Sequence, residues 1–160
     1  MEYQAFTIGE IEGVVIENLK KFEDDRGWLC ELFRHDELDE KYFPAMSYIS
    51  LSKANIVRGP HEHVEQTDLF AFLGPGTFEI TLWDNRKESS TYWNKMVFSA
   101  GESSPLSVLV PPGIVHAYQN LSSYEGVVLN FPNQLFMGKN KKFPVDEIRH
   151  EIDPDSVFKI

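Results

Sequence analysis

Cysteine is almost absent from this chain of 160 residues: Cys30 stands alone, so no internal disulfide is possible. Long hydrophobic runs are also missing, and no segment approaches the roughly 20 apolar residues that span a bilayer. The first residues hold neither a basic patch nor an apolar stretch, so no signal peptide is predicted. These absences predict a cytoplasmic protein without a membrane partner, and the length suits one domain, 1–160, with its own core.

Basic residues are scarce too, with 15 lysines and arginines against 25 aspartates and glutamates, which gives a net charge of −10. Sequence-independent binding to nucleic acid needs many cations along the phosphate backbone, so a nucleic-acid polymer is excluded as a partner. A single nucleotide is not excluded, because a few arginines gathered in one pocket suffice to hold its phosphates.

Short runs of β-branched and aromatic residues recur along the chain with turn signals between them, a pattern typical of a β-sandwich or β-barrel. The alternation of strands and helices that marks a dinucleotide-binding sheet is missing. The predicted strands cover residues 14–17, 28–33, 46–51, 69–73, 78–83, 92–98, 106–110, 115–119 and 126–131. The sequence therefore predicts an all-β fold.

The segments between these runs give further expectations. Gly74-Pro75-Gly76 indicates a tight hairpin turn. Residues 36–42 have some helical character, and a turn is predicted near residues 145–150. The charged, proline-interrupted segment 139–160 is expected to pack on the outside of the barrel.

Three of the five histidines lie in two short segments. Residues 57–63 carry His61 and His63, which point to the same face of an extended strand because side chains repeat every two residues. Residues 110–120 form a turn followed by a strand that carries His116. We expect these two strands to converge inside one β domain.

The same segments carry a resemblance to known proteins. A His-x-His pair followed by a carboxylate, and a later Pro-x-Gly-x-x-His-x-x-x-Asn, are similar to the paired motifs of the cupin superfamily, whose fold is a small β-barrel or jelly roll. More closely, the chain resembles the dTDP-4-dehydrorhamnose 3,5-epimerase family over roughly residues 14–158. The matching pieces are Asp25-Arg26-Gly27-Trp28 with Glu31, Ser50 with Ser52, Val57-Arg58-Gly59 with His61, Leu82-x-Asp84-x-Arg86-x-x-Ser89-x-Thr91, Pro111-Pro112-Gly113 with His116, and Asp153-Pro154-Asp155.

This resemblance implies a jelly-roll or cupin-type barrel that acts in surface polysaccharide biosynthesis. Its reaction is epimerisation at C3, at C5 or at both, next to the C4 ketone of a 4-keto-6-deoxyhexose nucleotide. His61 is assigned as the base that takes the sugar proton, and Asp153 as the carboxylate that orients it. The resemblance implies no metal or organic cofactor. It also implies a homodimer, because the family pairs its subunits through exchanged strands.

Substrate contacts follow from the same resemblance. Arg26 and Glu31 are expected to touch the nucleotide, since a planar guanidinium binds pyrophosphate oxygens in pairs. Arg58 and His116 are expected to stabilise the enolate or line the pocket. His63 is expected in the pocket wall.

The sequence departs from the family pattern at several positions. Asp68 stands where the family has a lysine that contacts the sugar. The strand 126–131 lacks the tyrosine that donates a proton on the opposite ring face, which leaves Tyr118 and Tyr124 as candidates. Tyr48 falls where the family has an asparagine that helps to hold the nucleotide.

Two alternatives stay open. One is a metal-dependent cupin, an isomerase or oxygenase, because three imidazoles and one carboxylate suit a divalent transition metal. Its ligands would be His61, His63, Asp68 and His116. The other is a protein that binds a sugar nucleotide and does not turn it over.

Other polar residues are expected to have structural roles. Asp84 and Arg86 flank a turn and are predicted to form an ion pair that holds the loop. His35 and His150 lie outside the two histidine segments, and a satisfied structural role is expected for both.

Overall fold

The computed structural model describes residues 5–160, and their regular structure is almost entirely β. The thirteen strands of this range are β1 (Thr7–Ile8), β2 (Val15–Asn18), β3 (Lys21–Asp24), β4 (Gly27–Cys30), β5 (Tyr48–Ser52), β6 (Val57–Glu62), β7 (Asp68–Phe72), β8 (Thr77–Asp84), β9 (Asn94–Gly101), β10 (Leu106–Val110), β11 (Ile114–Asn120), β12 (Gly126–Asn130) and β13 (Ile148–Arg149). Short 3-10 helices span Glu40–Tyr42, Lys139–Lys141 and His150–Ile152. None of the helices within residues 5–160 has the length and apolarity needed to cross a membrane.

Two large sheets form the body of the protein. One has six strands in the order β1-β9-β8-β11-β6-β13, and the other has five in the order β2-β10-β7-β12-β5. Their strand pairs are antiparallel, except that β1 runs parallel to β9. Apolar side chains of both sheets meet in one buried cluster, so the sheets face each other as a sandwich. The predicted all-β, jelly-roll architecture is confirmed.

The core between the sheets follows from the two-residue period of the strands. Phe70 and Phe72 of β7 point between the sheets and alternate with residues that point to the other face of their sheet, and the same holds for Phe78, Ile80 and Leu82 of β8. Each of these five side chains is at most 5% exposed. Burying a side chain of this size contributes about 1.5–3 kcal/mol, which holds the two sheets together.

The connection between β7 and β8 is a corner, so the predicted hairpin turn at Gly74-Pro75-Gly76 is wrong. β7 belongs to the five-stranded sheet and β8 to the six-stranded sheet, and the chain changes sheet here. Gly74 and Gly76 have φ values of +93° and +96°, which glycine adopts without steric strain. The tripeptide signals a change of direction, but the strands that pair with β7 and β8 lie elsewhere in the sequence.

Most of the predicted strands are present with shifted ends, and β10 has the predicted bounds. The strands β1, β3 and β13 were not predicted, because they are short and largely exposed and therefore lack an apolar alternation. The helical expectation for residues 36–42 was wrong beyond a single 3-10 turn. Pro44 forces Phe43 into an extended conformation with ψ 127°, which ends that turn. The turn predicted near residues 145–150 is also wrong, since β13 lies there.

The C-terminal segment covers the outer face of the six-stranded sheet. Phe158 is buried against Trp83, with ring centroids 5.9 Å apart. His150 places its Nε2 2.9 Å from the buried carboxylate of Glu62, which also accepts a hydrogen bond from the Asn85 amide. His150 therefore has the structural role that was expected of it.

Candidate active site

A cavity of about 1020 Å³ opens between the two sheets. The six-stranded sheet supplies His61 of β6 and Tyr118 of β11, and the five-stranded sheet supplies Tyr48 of β5. The segment 134–151 closes one side. This volume lies at the upper end of the roughly 300–1000 Å³ typical of ligand pockets.

The three predicted histidines meet at this cavity. His61 and His116 are direct partners across the β6–β11 pair, and their ring centroids are 4.4 Å apart. His63, one residue past the end of β6, has its ring 5.7 Å from that of His61 and 5.8 Å from that of His116. The convergence expected from the two-residue period is confirmed.

The position of Gly59, two residues before His61, has a steric reason. Its φ is +83°, and a Cβ built on it would lie 2.5 Å from the backbone carbonyl oxygen of His116. Only glycine therefore allows β6 to approach β11 this closely. This approach sets the distance between the His61 and His116 rings.

Asp68 brings a carboxylate from the opposite sheet to the histidines. Its side chain is 1% exposed, and Oδ2 lies 3.2 Å from His63 Nε2 and 3.3 Å from His116 Nε2. Oδ1 accepts hydrogen bonds from the side-chain amides of Gln66 and Asn130 at 2.9 and 2.8 Å. Burial on its own would raise the pKa of Asp68, but the imidazoles of His116 and His63 lower it, so the carboxylate is ionised.

Backbone carbonyl groups fix the tautomers of two of the rings. His116 Nδ1 lies 3.0 Å from the carbonyl oxygen of Ile114, and His63 Nδ1 contacts the carbonyl oxygen of Asp146. A carbonyl oxygen only accepts, so each Nδ1 carries the proton and donates it. Burial lowers the pKa of His63, but the carboxylate of Asp68 and the Asp146 carbonyl outweigh it and raise the pKa, which favours a proton on His63 Nε2 toward Asp68.

His61 differs from the other two histidines. Burial, followed by the neighbouring imidazoles of His116 and His63, lowers its pKa to about 2, so the ring is a neutral base. Among residues 5–160, the carboxylate within 4 Å of its ring nitrogens is that of Glu147, with Oε1 3.8 Å from Nε2.

Asp153 is not the partner of His61 in this structure. It lies in an exposed turn after the last 3-10 helix, and its Oδ1 accepts a hydrogen bond from the backbone N–H of Asp155. Sequence reasoning missed Glu147, because the pairing of β13 with β6 that brings it to the cavity involves only two residues of each strand.

The two arginines predicted to bind substrate, Arg58 and Arg26, lie in different parts of the structure. Arg58 lines the cavity and donates hydrogen bonds to Ser52 Oγ at 2.9 Å and to the Leu51 carbonyl oxygen at 2.7 Å. Arg26 is 90% exposed on the β3–β4 hairpin and pairs with Asp24. It does not line the cavity.

Three more predicted residues lie outside the cavity lining. Glu31 pairs with Arg34 at 3.4 Å. His116 is 2% exposed and sits behind the wall that His61 and His63 form. His35 stacks on Phe43 at 4.0 Å, which is a structural contact.

The Asp84–Arg86 pair is confirmed as structural. Arg86 donates two side-chain hydrogen bonds of 2.8 Å to the two carboxylate oxygens of Asp84. The hydroxyls of Ser89 and Thr91 also donate to Asp84, at 2.7 and 2.6 Å. The spacing of Asp84, Arg86, Ser89 and Thr91 is therefore explained by the hydrogen bonds that hold this loop in one conformation.

Of the tyrosines considered from the sequence, Tyr124 is exposed and bonds to Glu102. Tyr118 lines the cavity with its hydroxyl 3.2 Å from Ser50 Oγ. Tyr48 lines it too, and its hydroxyl accepts a hydrogen bond of 2.7 Å from the Asn130 amide. Asn130 lies in β12, the strand that lacks the family tyrosine, and Tyr48 of the neighbouring strand β5 is its cross-strand partner.

Comparison with known proteins agrees with this arrangement. The chain is 31% identical over 140 residues to the spore coat polysaccharide biosynthesis protein SpsL of Bacillus subtilis, covering 86% of this chain and 91% of the relative. It is 29% identical over 127 residues to a probable low-salt glycan biosynthesis epimerase, Agl13 of Haloferax volcanii, covering 79% and 81%.

Among solved structures, the fold is similar to that of a dTDP-6-deoxy-D-glucose-3,5-epimerase from Legionella pneumophila in complex with dTDP-4-keto-L-rhamnose. The TM-score is 0.75 at 20% identity, with 93% of this chain and 79% of the other covered. The family model for dTDP-4-dehydrorhamnose 3,5-epimerase matches residues 9–151. The chain therefore belongs to the dTDP-4-dehydrorhamnose 3,5-epimerase family of isomerases.

Proposed function

We propose that this protein epimerises C3, C5 or both, next to the C4 ketone of a nucleotide-linked 4-keto-6-deoxyhexose. The observation that carries the proposal is His61, a neutral imidazole in the wall of a cavity of nucleotide-sugar size. A proton on carbon next to a ketone is acidic enough for an imidazole base when the resulting enolate is stabilised. Family membership supports the same chemistry.

In the proposed reaction, His61 removes the proton and becomes an imidazolium. Glu147, 3.8 Å from His61 Nε2, is placed to stabilise that charge. Its carboxylate is itself held by Arg149 at 2.7 Å. We therefore assign to Glu147 the part that the family resemblance gave to Asp153.

Arg58 is the proposed contact for the negatively charged part of the substrate. Its hydrogen bonds to Ser52 and to the Leu51 carbonyl oxygen fix the guanidinium at the cavity wall before substrate arrives. A preorganised cation loses little entropy on binding, and its planar fork suits phosphate oxygens.

Tyr48 is the proposed proton donor that completes the inversion. Its hydroxyl oxygen already accepts from Asn130, so its own proton is free to point elsewhere. Burial raises the pKa of this phenol, followed by the negative charge of Asp68, so it stays protonated. Tyr48 comes from the sheet opposite His61, which supports delivery to the other face of the sugar.

The test is hydrogen exchange at the reacting carbons. One-dimensional proton NMR in heavy water follows C3 and C5 of 4-keto-6-deoxyhexoses linked to dTDP, GDP, UDP or CDP. We expect deuterium to enter at one or both positions, and His61→Ala to abolish this. His35→Ala, a histidine outside the cavity, is the matched control and should keep the exchange.

An absence of exchange across the whole panel refutes the epimerase. If calorimetry then detects binding of one of these nucleotides, the chain is a binding protein without turnover, which is the second candidate. The names of SpsL and Agl13 support a place in surface polysaccharide or glycan biosynthesis. The lone thiol of Cys30 and the nucleotide substrate favour the cytoplasm.

We further propose that the protein is a homodimer. The β3–β4 hairpin forms a separate two-stranded sheet, and Phe22, Trp28 and Leu29 on it are at least half exposed. A patch of this kind on a soluble protein is an interaction site, and a second copy docked there would also cover Arg26. Light scattering should report a dimer that Trp28→Glu dissociates and Ile152→Glu leaves intact; a monomeric native chain would contradict this.

A further inference from the structure

The loop between β6 and β7, residues 63–67, directs three consecutive backbone N–H groups at one carboxylate. Asp146 Oδ1 accepts from Val64 at 2.9 Å, and Oδ2 accepts from Glu65 at 2.9 Å and from Gln66 at 2.8 Å. Successive N–H groups that point to one place form an anion-binding concavity. Burial alone would raise the pKa of Asp146, but the three N–H groups lower it, so the side chain is an anion. It therefore ties the C-terminal segment firmly to this loop.

The same loop carries residues of the candidate site. It begins with His63 in the cavity wall and leads into β7, whose first residue is Asp68. The backbone carbonyl oxygen of Asp146 contacts His63 Nδ1. One residue of the C-terminal segment thus contacts the loop through both its side chain and its backbone.

A second attachment follows four residues later, on the back of β6. Glu62 and His61 are neighbours in β6, so their side chains point to opposite faces of the sheet. The His150 Nε2 atom lies 2.9 Å from the buried Glu62 Oε1, and the His150 ring packs against Phe158 with centroids 4.7 Å apart. Residues 146–150, which we call the strap, are therefore attached at both ends.

Glu147 lies between these two attachments. It comes directly after Asp146, its side chain is 16% exposed, and its Oε1 is 3.8 Å from His61 Nε2. Within the described chain, the hydrogen bonds of residues 137–145, just before the strap, go only to residues 135–143. The pairing of β13 with β6 adds two residue pairs. A catalytic group has to be held to within about 0.5 Å, so the position of Glu147 depends on the two ends of the strap.

We propose that Asp146 and His150 are positioning residues that hold Glu147 beside Nε2 of His61. A carboxylate at this nitrogen favours the tautomer with the proton on Nε2, because the group near one ring nitrogen decides which nitrogen keeps its N–H. Nδ1 then holds the lone pair that a base needs. The catalytic consequence rests on the proposed function, whereas the position of the carboxylate and the tautomer do not.

The strap should act on the chemical step. The carboxylate oxygens of Asp146 are occupied by backbone N–H groups, and His150 does not line the cavity, so neither side chain is a substrate contact. Displacing a catalytic group by about 1 Å costs on the order of a hundredfold in rate. We therefore expect loss of either attachment to lower kcat through Glu147.

The test reads the His61 tautomer directly, from ¹⁵N NMR of the ring nitrogens of the full chain. The native ring should carry its proton on Nε2. In Asp146→Asn, one acceptor oxygen becomes an amide nitrogen that cannot accept from the loop. The ring signals should then change as they do in Glu147→Gln, and hydrogen exchange at the sugar should fall by about 10–100-fold.

The other end of the strap has its own pair of variants. His150→Ala removes the N–H donor to Glu62 and should give the same two changes. His150→Gln keeps a side-chain N–H donor and should restore both readouts. Asp155→Asn replaces an exposed carboxylate of the same C-terminal segment and is the matched control, which should behave as the native chain does.

A double variant decides whether Asp146 acts through Glu147. In the Glu147→Gln background, Asp146→Asn should change the exchange rate by less than about twofold, and effects that multiply would refute the proposal. A native His61 ring with its proton on Nδ1 would also refute it, as would a folded Asp146→Asn protein with native ring signals. If Asp146→Asn does not fold, equal ring signals in His150→Ala and the native chain overturn the proposal. A native chain without hydrogen exchange refutes the epimerase, and the ring signals still decide the positioning.

Discussion

Replacing Gly59 by alanine should separate the two histidine strands while leaving most of the fold in place. The new Cβ would lie 2.5 Å from the His116 carbonyl oxygen and 3.2 Å from both the Ala117 Cα and the His61 nitrogen. All three are backbone atoms, so no side chain can rotate away. An ordinary contact between carbon and a carbonyl oxygen is about 3.3 Å, so β6 and β11 must move apart by about 0.8 Å.

Two costs add up in the Gly59→Ala variant. The φ of +83° costs an L-residue roughly 1–2 kcal/mol, and the strand separation adds to this. We expect the free energy of unfolding to fall by about 3–5 kcal/mol, at the upper end for single substitutions. Because His61 moves with β6, the folded fraction should also lose about a hundredfold in hydrogen exchange, as misplacement of about 1 Å does elsewhere.

The matched control is Gly27→Ala. Gly27 also has a positive φ, +129°, but its Cβ would meet nothing within 4 Å. Urea unfolding followed by tryptophan fluorescence should therefore show only the conformational cost of about 1–2 kcal/mol. If Gly59→Ala is no less stable than Gly27→Ala, and its exchange rate is intact, the close approach does not set the site geometry.

Tyr48→Phe should slow formation of the inverted product by about 10²–10⁴-fold, which is the range for a lost general acid. Tyr118→Phe is the control and should change the rate little. Equal effects of the two substitutions in a product assay would contradict the assignment of Tyr48. Hydrogen bonds from its neighbours outweigh burial and lower the pKa of Asp84 to about 2, so its stabilising effect is present above pH 4 and lost as the pH falls from 4 through 2. Asp84→Asn should remove about 2 kcal/mol of that acid dependence, and an unchanged urea midpoint profile would refute this. Phe158→Ala should cost about 3–5 kcal/mol of unfolding free energy, while the 59% exposed Phe143 should tolerate alanine; equal losses would mean that the C-terminal segment does not cover the sheet.

The sequence predicted those parts of the site that depend on short-range periodicity. His61 and His63 share a face because they are two residues apart in extended chain, and the turn at residues 111–113 starts the strand that carries His116. These facts need no knowledge of which strands are neighbours. The same holds for the Asp84–Arg86 pair, which is formed within one loop.

The missed residues all depend on long-range pairing. Tyr48 reaches the cavity because β5 pairs with β12, and Glu147 because β13 pairs with β6. Asp68 was noted as a departure from the family, but its two imidazole contacts join opposite sheets. Nothing in the local sequence encodes such neighbours, which is also why Asp153 was expected at His61.

The charge around the cavity determines how the phosphates of the proposed substrate can be held. The basic side chains that line it are Arg58, Lys141 and Arg149, and the acidic ones are Glu65, Asp146, Glu147 and Glu151. Adding a diphosphate and the buried carboxylate of Asp68 makes this a strongly negative pocket, where bringing like charges together is unfavourable. Arg58, which Ser52 and the Leu51 carbonyl oxygen hold in place, is the proposed partner of the phosphates. Binding of the proposed nucleotide sugar by a chain with a net charge of −10 therefore depends on this local cation and not on the overall charge.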